Sequence, residues 1–277
     1  MNYSGMRYHY LIVLFVFVMG LKAQTTDASG KKQGYWKKKD EKTNHLIYEG
    51  EFKDDKPVGK FKYYYPHDTV RAIMIFKNQG TVAYAKLFHP NGKRMAEGKY
   101  INKEVKDSVW LYYDELGVLI SKEKYKSGKK NGTSYVYLPD GAVSEERNYK
   151  DDIQDGEFKL YFDGKLIKGQ GKYVNGLLEG KVVYKFPNGV EAAAGYYVKG
   201  NKNGPWIYKN SDGSIKEKEL FKFGKLASEK ETKEFFAKTK LGDEKKTEKT
   251  KESNSTQSSQ SDNKTQPKTT VKKGTGK

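Results

Sequence analysis

Apolar and polar residues alternate in short runs along most of this chain, and one aromatic position returns at a near-constant interval. Phe52, Phe76, Tyr100, Tyr125, Tyr149, Tyr173, Tyr197 and Phe221 are separated by 24, 24, 25, 24, 24, 24 and 24 residues. A period of this length marks an array of repeated units rather than one irregular globule. Units begin near Gly34, Gly59, Ala83, Ser108, Gly132, Gly156, Gly180 and Gly204. Two residues later stand Trp36, Phe61, Ala85, Trp110, Ser134, Phe158, Val182 and Trp206. Two further on, from the second unit, come Tyr63, Leu87, Tyr112, Val136, Leu160, Tyr184 and Tyr208. Residues two apart share one face of a strand, so each unit opens with a strand carrying one apolar face.

The next position, on the opposite face, is Tyr64, Phe88, Tyr113, Tyr137 and Tyr161, then Lys185 and Lys209. That face is therefore aromatic in the middle units and basic towards the end. A turn signal follows, as in Pro90-Asn91-Gly92, Pro139-Asp140-Gly141, Asp163-Gly164, Pro187-Asn188-Gly189 and Asp212-Gly213. Asn-Gly and Asp-Gly tolerate the positive φ of a tight hairpin turn. A second strand runs to the recurring aromatic, and a second polar turn leads to the next unit, so each unit reads as one β-hairpin. The other glycines read as hairpin punctuation.

The pattern predicts an all-β fold: an elongated single-layer antiparallel array of about eight 24-residue β-hairpin repeats, with a short C-terminal helix and a disordered tail. About sixteen strands at roughly 4.8 Å spacing would make a flat array about 75 Å long, which strand twist must coil. Isolated hairpins are marginal, so neighbouring units must stabilise one another. The aromatics of one face are expected to stack into continuous ladders. The second and third units are the weakest matches, with His67-Asp68 for the usual turn and Met74 where Gly98, Gly171 and Gly195 occur. A distortion or partial roll of the sheet is expected there.

Five segments are expected: a signal peptide at 1–23, a linker at 24–33, hairpin repeats at 34–226, a short capping helix at 227–241 and a disordered basic tail at 242–277. The leader has a weakly basic start, an apolar run from Tyr10 to Leu21 and a small residue, Ala23, suited to cleavage. The run is too short for a spanning helix, which needs roughly 20 residues. Export to the periplasm, the cell envelope or the medium is expected. A helix around Phe235 and Phe236 would cover the open edge of the last hairpin. The tail is Lys, Glu, Ser, Thr, Gln and Asn with almost nothing apolar, a composition that cannot offset ordering entropy.

Composition sharpens the picture. Over 277 residues the hydrophobic fraction is 35% and the aromatic fraction 14%, with 22 Tyr. Large rings must therefore supply burial that aliphatics usually supply. The formal net charge of +18 favours anionic partners. Cysteine is absent, which excludes disulfides, thiolate metal sites, a Cys nucleophile and a lipidated Cys anchor.

Gly-x-Trp/Phe-x-x-Tyr, then Asp/Asn-Gly, then Gly-x-Tyr and a polar turn, resembles the MORN repeat. The stretches "GEFKLYFDGKLIKGQGKYVNG" and "GPWIYKNSDGSIKEKELFKFGK" are similar to its bacterial variant, common in YwqK-family antitoxin proteins of toxin–antitoxin systems. The resemblance covers about residues 34–226. It implies a hairpin array acting as a scaffold, a dimerisation surface or a lipid contact, or an immunity role in the envelope, with a toxin as partner.

No nucleophile elbow, P-loop or dinucleotide fingerprint is present, and no cofactor or metal is expected. His45, His67 and His89 lack a short ligand spacing, although His67 and His89 could meet at adjacent turns. Asp54-Asp55 and Asp151-Asp152 read as turn residues. The recurring series from Phe52 to Phe221 reads as a structural aromatic ladder. Tyr64, Phe88, Tyr113, Tyr137 and Tyr161 form the candidate partner-binding stripe, since a single-layer sheet cannot enclose both faces. The expected function is that of a secreted, non-enzymatic protein-interaction scaffold. The alternatives are an envelope-associated binder of anionic lipid or glycan and a toxin-neutralising immunity protein. Self-association is a further expectation, and nucleic acid is not an expected partner.

Overall fold

The computed structural model of this protein describes residues 24–242. The leader expected at 1–23 and the tail expected beyond Gly242 lie outside the described residues. Eight antiparallel hairpins follow one another: Lys32–Lys39 with Leu46–Lys53, Lys56–Tyr64 with Val70–Lys77, Val82–Phe88 with Arg94–Ile101, Val105–Tyr113 with Leu119–Lys126, Gly132–Tyr137 with Val143–Lys150, Ile153–Tyr161 with Ile167–Val174, Gly180–Lys185 with Glu191–Val198, and Asn201–Lys209 with Ile215–Lys222. Each second strand pairs with the first strand of the next unit, so the hairpins join into one open antiparallel sheet.

Two kinds of turn alternate along its edges. Between units lie two-residue turns with both residues at positive φ, such as Asp54-Asp55, Asp151-Asp152 and Asn175-Gly176. This geometry matches strand twist and suits Asp, Asn and Gly. Within units, the loop His89-Pro90-Asn91-Gly92-Lys93 places only Gly92 at positive φ, and the His89 N–H bonds the Lys93 carbonyl. The Asn of Asn-Gly instead accepts a hydrogen bond from the Lys93 N–H at 2.9 Å, a three-residue type I turn with a left-handed Gly.

The unit-starting residue sets how one hairpin joins the next. Gly34, Gly59, Ser108, Gly132, Gly156, Gly180 and Gly204 all have positive φ, and Ala83 does not. Where positive-φ Gly59, Ser108, Gly156 and Gly204 stand within the second strand of the pair, the ladder shifts register, at Glu49/Glu51, Glu97/Lys99, Arg147/Tyr149 and Ala194/Tyr196. At Ala83 the six pairs from Ala72↔Leu87 to Lys77↔Val82 run without a shift. The distortion expected around the second and third units thus takes the opposite form: this junction is the regular one, because alanine keeps the ordinary β conformation that glycine abandons elsewhere.

Ser108 occupies a left-handed conformation at φ 63° that costs an L-residue about 1–2 kcal/mol. Ser108→Gly is expected to raise stability by about 0.5–1 kcal/mol after the added flexibility of the unfolded chain is subtracted. Denaturant midpoints of the two chains check this.

Both ends of the sheet are covered. Within the segment 24–33, expected as a linker, Thr25–Thr26 pairs with Lys32 and Gln33. The intervening turn is held by Asp27, whose carboxylate accepts from the N–H groups of Ser29 and Lys31, a turn chemistry the composition of the segment concealed. At the other end, Lys225–Leu226 adds a two-residue strand and helix α1, Glu229–Thr239, follows. Ser228 and Glu231 form a reciprocal capping box at its start. Phe236 is buried, with Lys218 Nζ 5.3 Å from its ring centroid, and Lys222 pairs with Glu231 at 2.6 Å. No helix among the described residues is long and apolar enough to cross a membrane.

Candidate binding surface

The two faces of the sheet are built differently. One, the ladder face, carries the rings that open each unit. Phe61, Trp110, Phe158, Val182 and Trp206 are buried there, although among the described residues no second layer of secondary structure covers them. Burial in so thin a layer needs each ring to lie flat on the sheet, and glycine makes room for this. A Cβ added at Gly50 would stand 2.4 Å from the Phe61 ring; at Gly98, 2.3 Å from Trp110; at Gly195, 2.2 Å from Trp206. These mid-strand glycines are not punctuation; they are the floors on which rings rest.

The recurring aromatics cover the rings from the side. Phe52 and Phe76 each stand edge-on to Phe61 with centroids 5.1 Å apart, Tyr100 lies 4.6 Å from Trp110, and Tyr197 lies 5.3 Å from Trp206. Edge-to-face contacts of this kind add about 0.5–1.5 kcal/mol each beyond area burial. Of the recurring series only Phe76 is buried, and the rest are half-buried. The flat rings are the core and the series Phe52, Phe76, Tyr100, Tyr125, Tyr149, Tyr173, Tyr197 and Phe221 is its flank.

Lysine stems complete the cover. Lys32, Lys106 and Lys202 each lie four residues before a tryptophan, and each ammonium sits over that ring, at 5.0, 5.1 and 4.4 Å. Lys106 also donates to the Tyr112 hydroxyl and Lys202 to the Tyr208 hydroxyl, both at 2.7 Å. A long apolar stem with a cation at its tip suits a ring that must be covered yet borders water. The spacing Lys-x-x-x-Trp recurs at all three tryptophans and was visible in the sequence.

The ladder is not continuous. It is broken in the fifth unit, where Ser134 is buried with its hydroxyl unpartnered, near a Glu145–Arg147 pair at 2.7 Å. It is also broken in the third unit, where Ala85 pairs with Met74, and Ala72, Ala83 and Ala96 are likewise buried. A groove of about 970 Å³ lies here, with Ala72 the one of these four alanines in its lining. Met74, Met95, Leu87, Phe76 and Tyr100 form its apolar lining. Lys56, Arg71, Lys103 and Lys106 line it as well, against Asp55 and Glu104. The volume lies at the upper end of the range for ligand-sized sites.

The opposite face carries the candidate stripe. Tyr64, Phe88, Tyr113, Tyr137 and Tyr161 all lie at the ends of first strands, each beside a register shift, and all are half-buried rather than open. Three of their hydroxyls are already engaged. Tyr64 donates to Glu49 at 2.6 Å, Tyr113 to Glu97 at 2.9 Å, and Tyr161 to Glu146 at 3.3 Å. Arg94 lies 5.5 Å from the Tyr113 ring centroid and pairs with Glu97. Tyr137 stacks beside Tyr135, centroids 6.5 Å apart. The stripe is thus an aromatic–carboxylate lacing of the sheet, and removing its rings alters the sheet as well as its surface.

Glu49 is the most heavily laced carboxylate. Its side chain is 12% exposed and receives hydroxyls from Tyr35 and Tyr64, with Lys62 at 3.2 Å and Lys37 at 3.4 Å. Burial opposes its ionisation, but the two hydroxyls and Lys62 outweigh it and hold the carboxyl at about 2. Burial, reinforced by the Glu49 charge, pushes the Tyr35 phenol up to about 12. A depressed carboxyl stabilises the fold above its unfolded pKa near 4.5 and loses that contribution as pH falls towards 2. The raised phenol contributes below pH 10 and loses its contribution as pH rises through 12. Glu49→Gln is expected to cost about 1–2 kcal/mol near neutrality. Urea unfolding of both chains should show that difference shrink between pH 4.5 and 2.

The remaining polar candidates are turn residues. His89 Nε2 meets the Tyr113 carbonyl at 3.1 Å, His45 meets the Thr43 hydroxyl, and His67 occupies a left-handed turn. Asp55 accepts from the Lys32 N–H and Asp152 from the Lys130 N–H, which ties each turn to the one before it. Among the described residues no group of three or more His, Cys, Asp or Glu is placed to hold a metal ion.

Comparison with known proteins bears on the second hairpin. Residues 57–78 match the family described as MORN repeat variant. Those residues are the second unit, the one whose turn and Met74 depart most from the other hairpins. The match covers hairpin, unit-starting Gly59 and the recurring Phe76 together. No curated protein matches the chain. Among solved structures, TcdB2-TccC3-Cdc42 is 12% identical with a TM-score of 0.19, over 73% of this chain and 15% of that chain. TcdB2-TccC3 is 12% identical with a TM-score of 0.15, over 73% of this chain and 16% of that one. The chain therefore spans far less than two thirds of the length of those chains.

Proposed function

We propose that this protein is an exported, non-enzymatic scaffold that binds a protein partner on the ladder face of its sheet. The observation that carries this reading is the groove on that face lined by Met74, Met95, Leu87, Phe76 and Tyr100. Stacked repeats commonly present extended binding surfaces, and a MORN repeat variant at 57–78 is consistent with that use. An apolar hollow with an uneven ring of charges is suited to a protein contact. The groove is favoured over the stripe of Tyr64, Phe88, Tyr113, Tyr137 and Tyr161, because three of the stripe hydroxyls are occupied within the sheet. The leader supports export. The resemblance to YwqK-family antitoxin proteins supplies one partner class, a toxin, which in the envelope would make the protein an immunity factor.

Affinity capture with the full chain from the source cell's envelope fraction, at low and high salt, tests the reading. One stoichiometric protein kept at high salt is the expected result. The net charge of +18 supports the second reading, attachment to anionic lipid or glycan. Capture of those alone, lost at high salt, would replace the first reading by the second.

A further inference from the structure

Resting on the scaffold reading, we infer that the groove beside Met74 receives an aromatic side chain presented by an acidic segment of the partner. Elsewhere on this face a ring lies on a glycine: Phe61 on Gly50, Trp110 on Gly98, Trp206 on Gly195. In the third unit the corresponding position is Ala85, which pairs with Met74 instead of a glycine, so no ring of its own stands there, and Met74, Leu87 and Ala72 line the neighbouring groove. The groove draws its lining from two ring clusters, one built on Phe61 and Phe76 and the other packed on Trp110. Phe76 and Tyr100 both line it, and aromatic flanks favour an edge-to-face aromatic guest over an aliphatic one.

The floor adapts to a guest. Met74 and Met95 line the groove, and methionine side chains repack around different shapes more readily than branched ones. The charged lining supplies orientation and selectivity. Four cations, Lys56, Arg71, Lys103 and Lys106, face two carboxylates, Asp55 and Glu104. Arg71 and Lys103 are exposed at the surface, where a carboxylate flanking the guest ring can reach them. A guest ring with basic flanks would meet like charge, so the lining discriminates as well as attracts.

The test uses short capped peptides with one Trp between two acidic residues on each side. The controls replace Trp by Ala, or the acids by Lys. The full chain, labelled at its methionine methyls, reports binding through the Met74 and Met95 signals. The acidic Trp peptide is expected to move both signals saturably upfield, as a ring overhead requires. The Ala peptide should leave them in place. The Lys-flanked peptide should bind about tenfold more weakly at low salt, with the gap closing as salt rises. Met74→Gly/Ala85→Trp rebuilds the ring-on-glycine pair in this unit, places a resident ring where the guest ring would sit and should abolish the Met95 shift. Should that variant fail to fold, Arg71→Glu serves instead and should favour the Lys-flanked peptide over the acidic one.

Absence of saturable shifts, equal shifts with the Ala peptide, or an unchanged Met95 response in the double variant would overturn the inference. The two readings fail separately. A protein captured at high salt equally by the parent chain and by the folded double variant leaves the scaffold standing and removes the groove from it. Peptide binding at the groove without any captured protein keeps the groove and removes the scaffold.

Discussion

Trp110→Ala is expected to cost about 3–5 kcal/mol, the range for deleting a fully buried large aromatic. Trp110 is 0% exposed, and four groups enclose it. Gly98 lies beneath it, Tyr100 stands edge-on at 4.6 Å, Tyr112 stacks at 6.2 Å, and Lys106 closes the top at 5.1 Å. Its indole N–H donates to the Lys99 carbonyl at 3.1 Å, across the junction between the third and fourth units. The loss therefore falls on an interface between repeats. In an array whose units are held by their neighbours, weakening one interface divides the cooperative unit. Hydrogen exchange should show strands Arg94–Ile101 and Val105–Tyr113 losing protection while the last two hairpins keep theirs. Trp110→Phe, which retains a ring on Gly98, should recover most of the stability. A uniform loss of protection over all hairpins would instead mean that the sheet unfolds as one body.

The period of the chain made most of this architecture legible. A recurring aromatic every 24 or 25 residues and two turn signals per unit suffice to place eight hairpins, because side-chain alternation in strands is strict and turns demand particular residues. The C-terminal helix was legible from Phe235 and Phe236, and Ser228 with Glu231 marks its start. The candidate surface was less legible. Alternation tells which face a residue occupies and says nothing of which ring lies beneath which. So both aromatic sets share the apolar face by alternation, and only the structure shows that the flat rings two residues into each unit are buried while most of the recurring series flanks them. Mid-strand glycines such as Gly98 and Gly195 carry the same letter as turn glycines, and only the ring above them reveals their use. The groove draws its lining from Ala72, Leu87, Met95 and Tyr100 on three successive strands, and no local pattern joins residues so far apart in sequence. The carboxylate partners of Tyr64, Tyr113 and Tyr161 sit about fifteen residues upstream and are reached only through strand pairing.

Gly195→Ala is expected to cost about 2–3 kcal/mol, the upper part of the range for overpacking. The new Cβ would stand 2.2 Å from two atoms of the Trp206 ring and 2.5 Å from a third, closer than real side chains approach. The ring has little room to retreat. Lys202 sits 4.4 Å above it, Tyr208 stacks at 6.1 Å, Tyr197 stands edge-on at 5.3 Å, and its N–H is bound to the Tyr196 carbonyl. Alanine also restricts the unfolded chain, a gain of about 0.4–1 kcal/mol that reduces the cost without reversing it. Gly180→Ala is the matched comparison. Gly180 has φ +78° with nothing within 4 Å of an added Cβ, so its cost is backbone strain alone, about 1–2 kcal/mol. The two glycines fail for different reasons, and a second substitution separates them. Trp206→Leu removes ring atoms from above Gly195. Combined with Gly195→Ala it should show a coupling of at least about 1 kcal/mol, while combined with Gly180→Ala the effects should add. Additivity in both pairs would mean that Trp206 lifts off Gly195 freely, and the thin core of this sheet would then rest on its lysine and tyrosine cover rather than on its glycine floor.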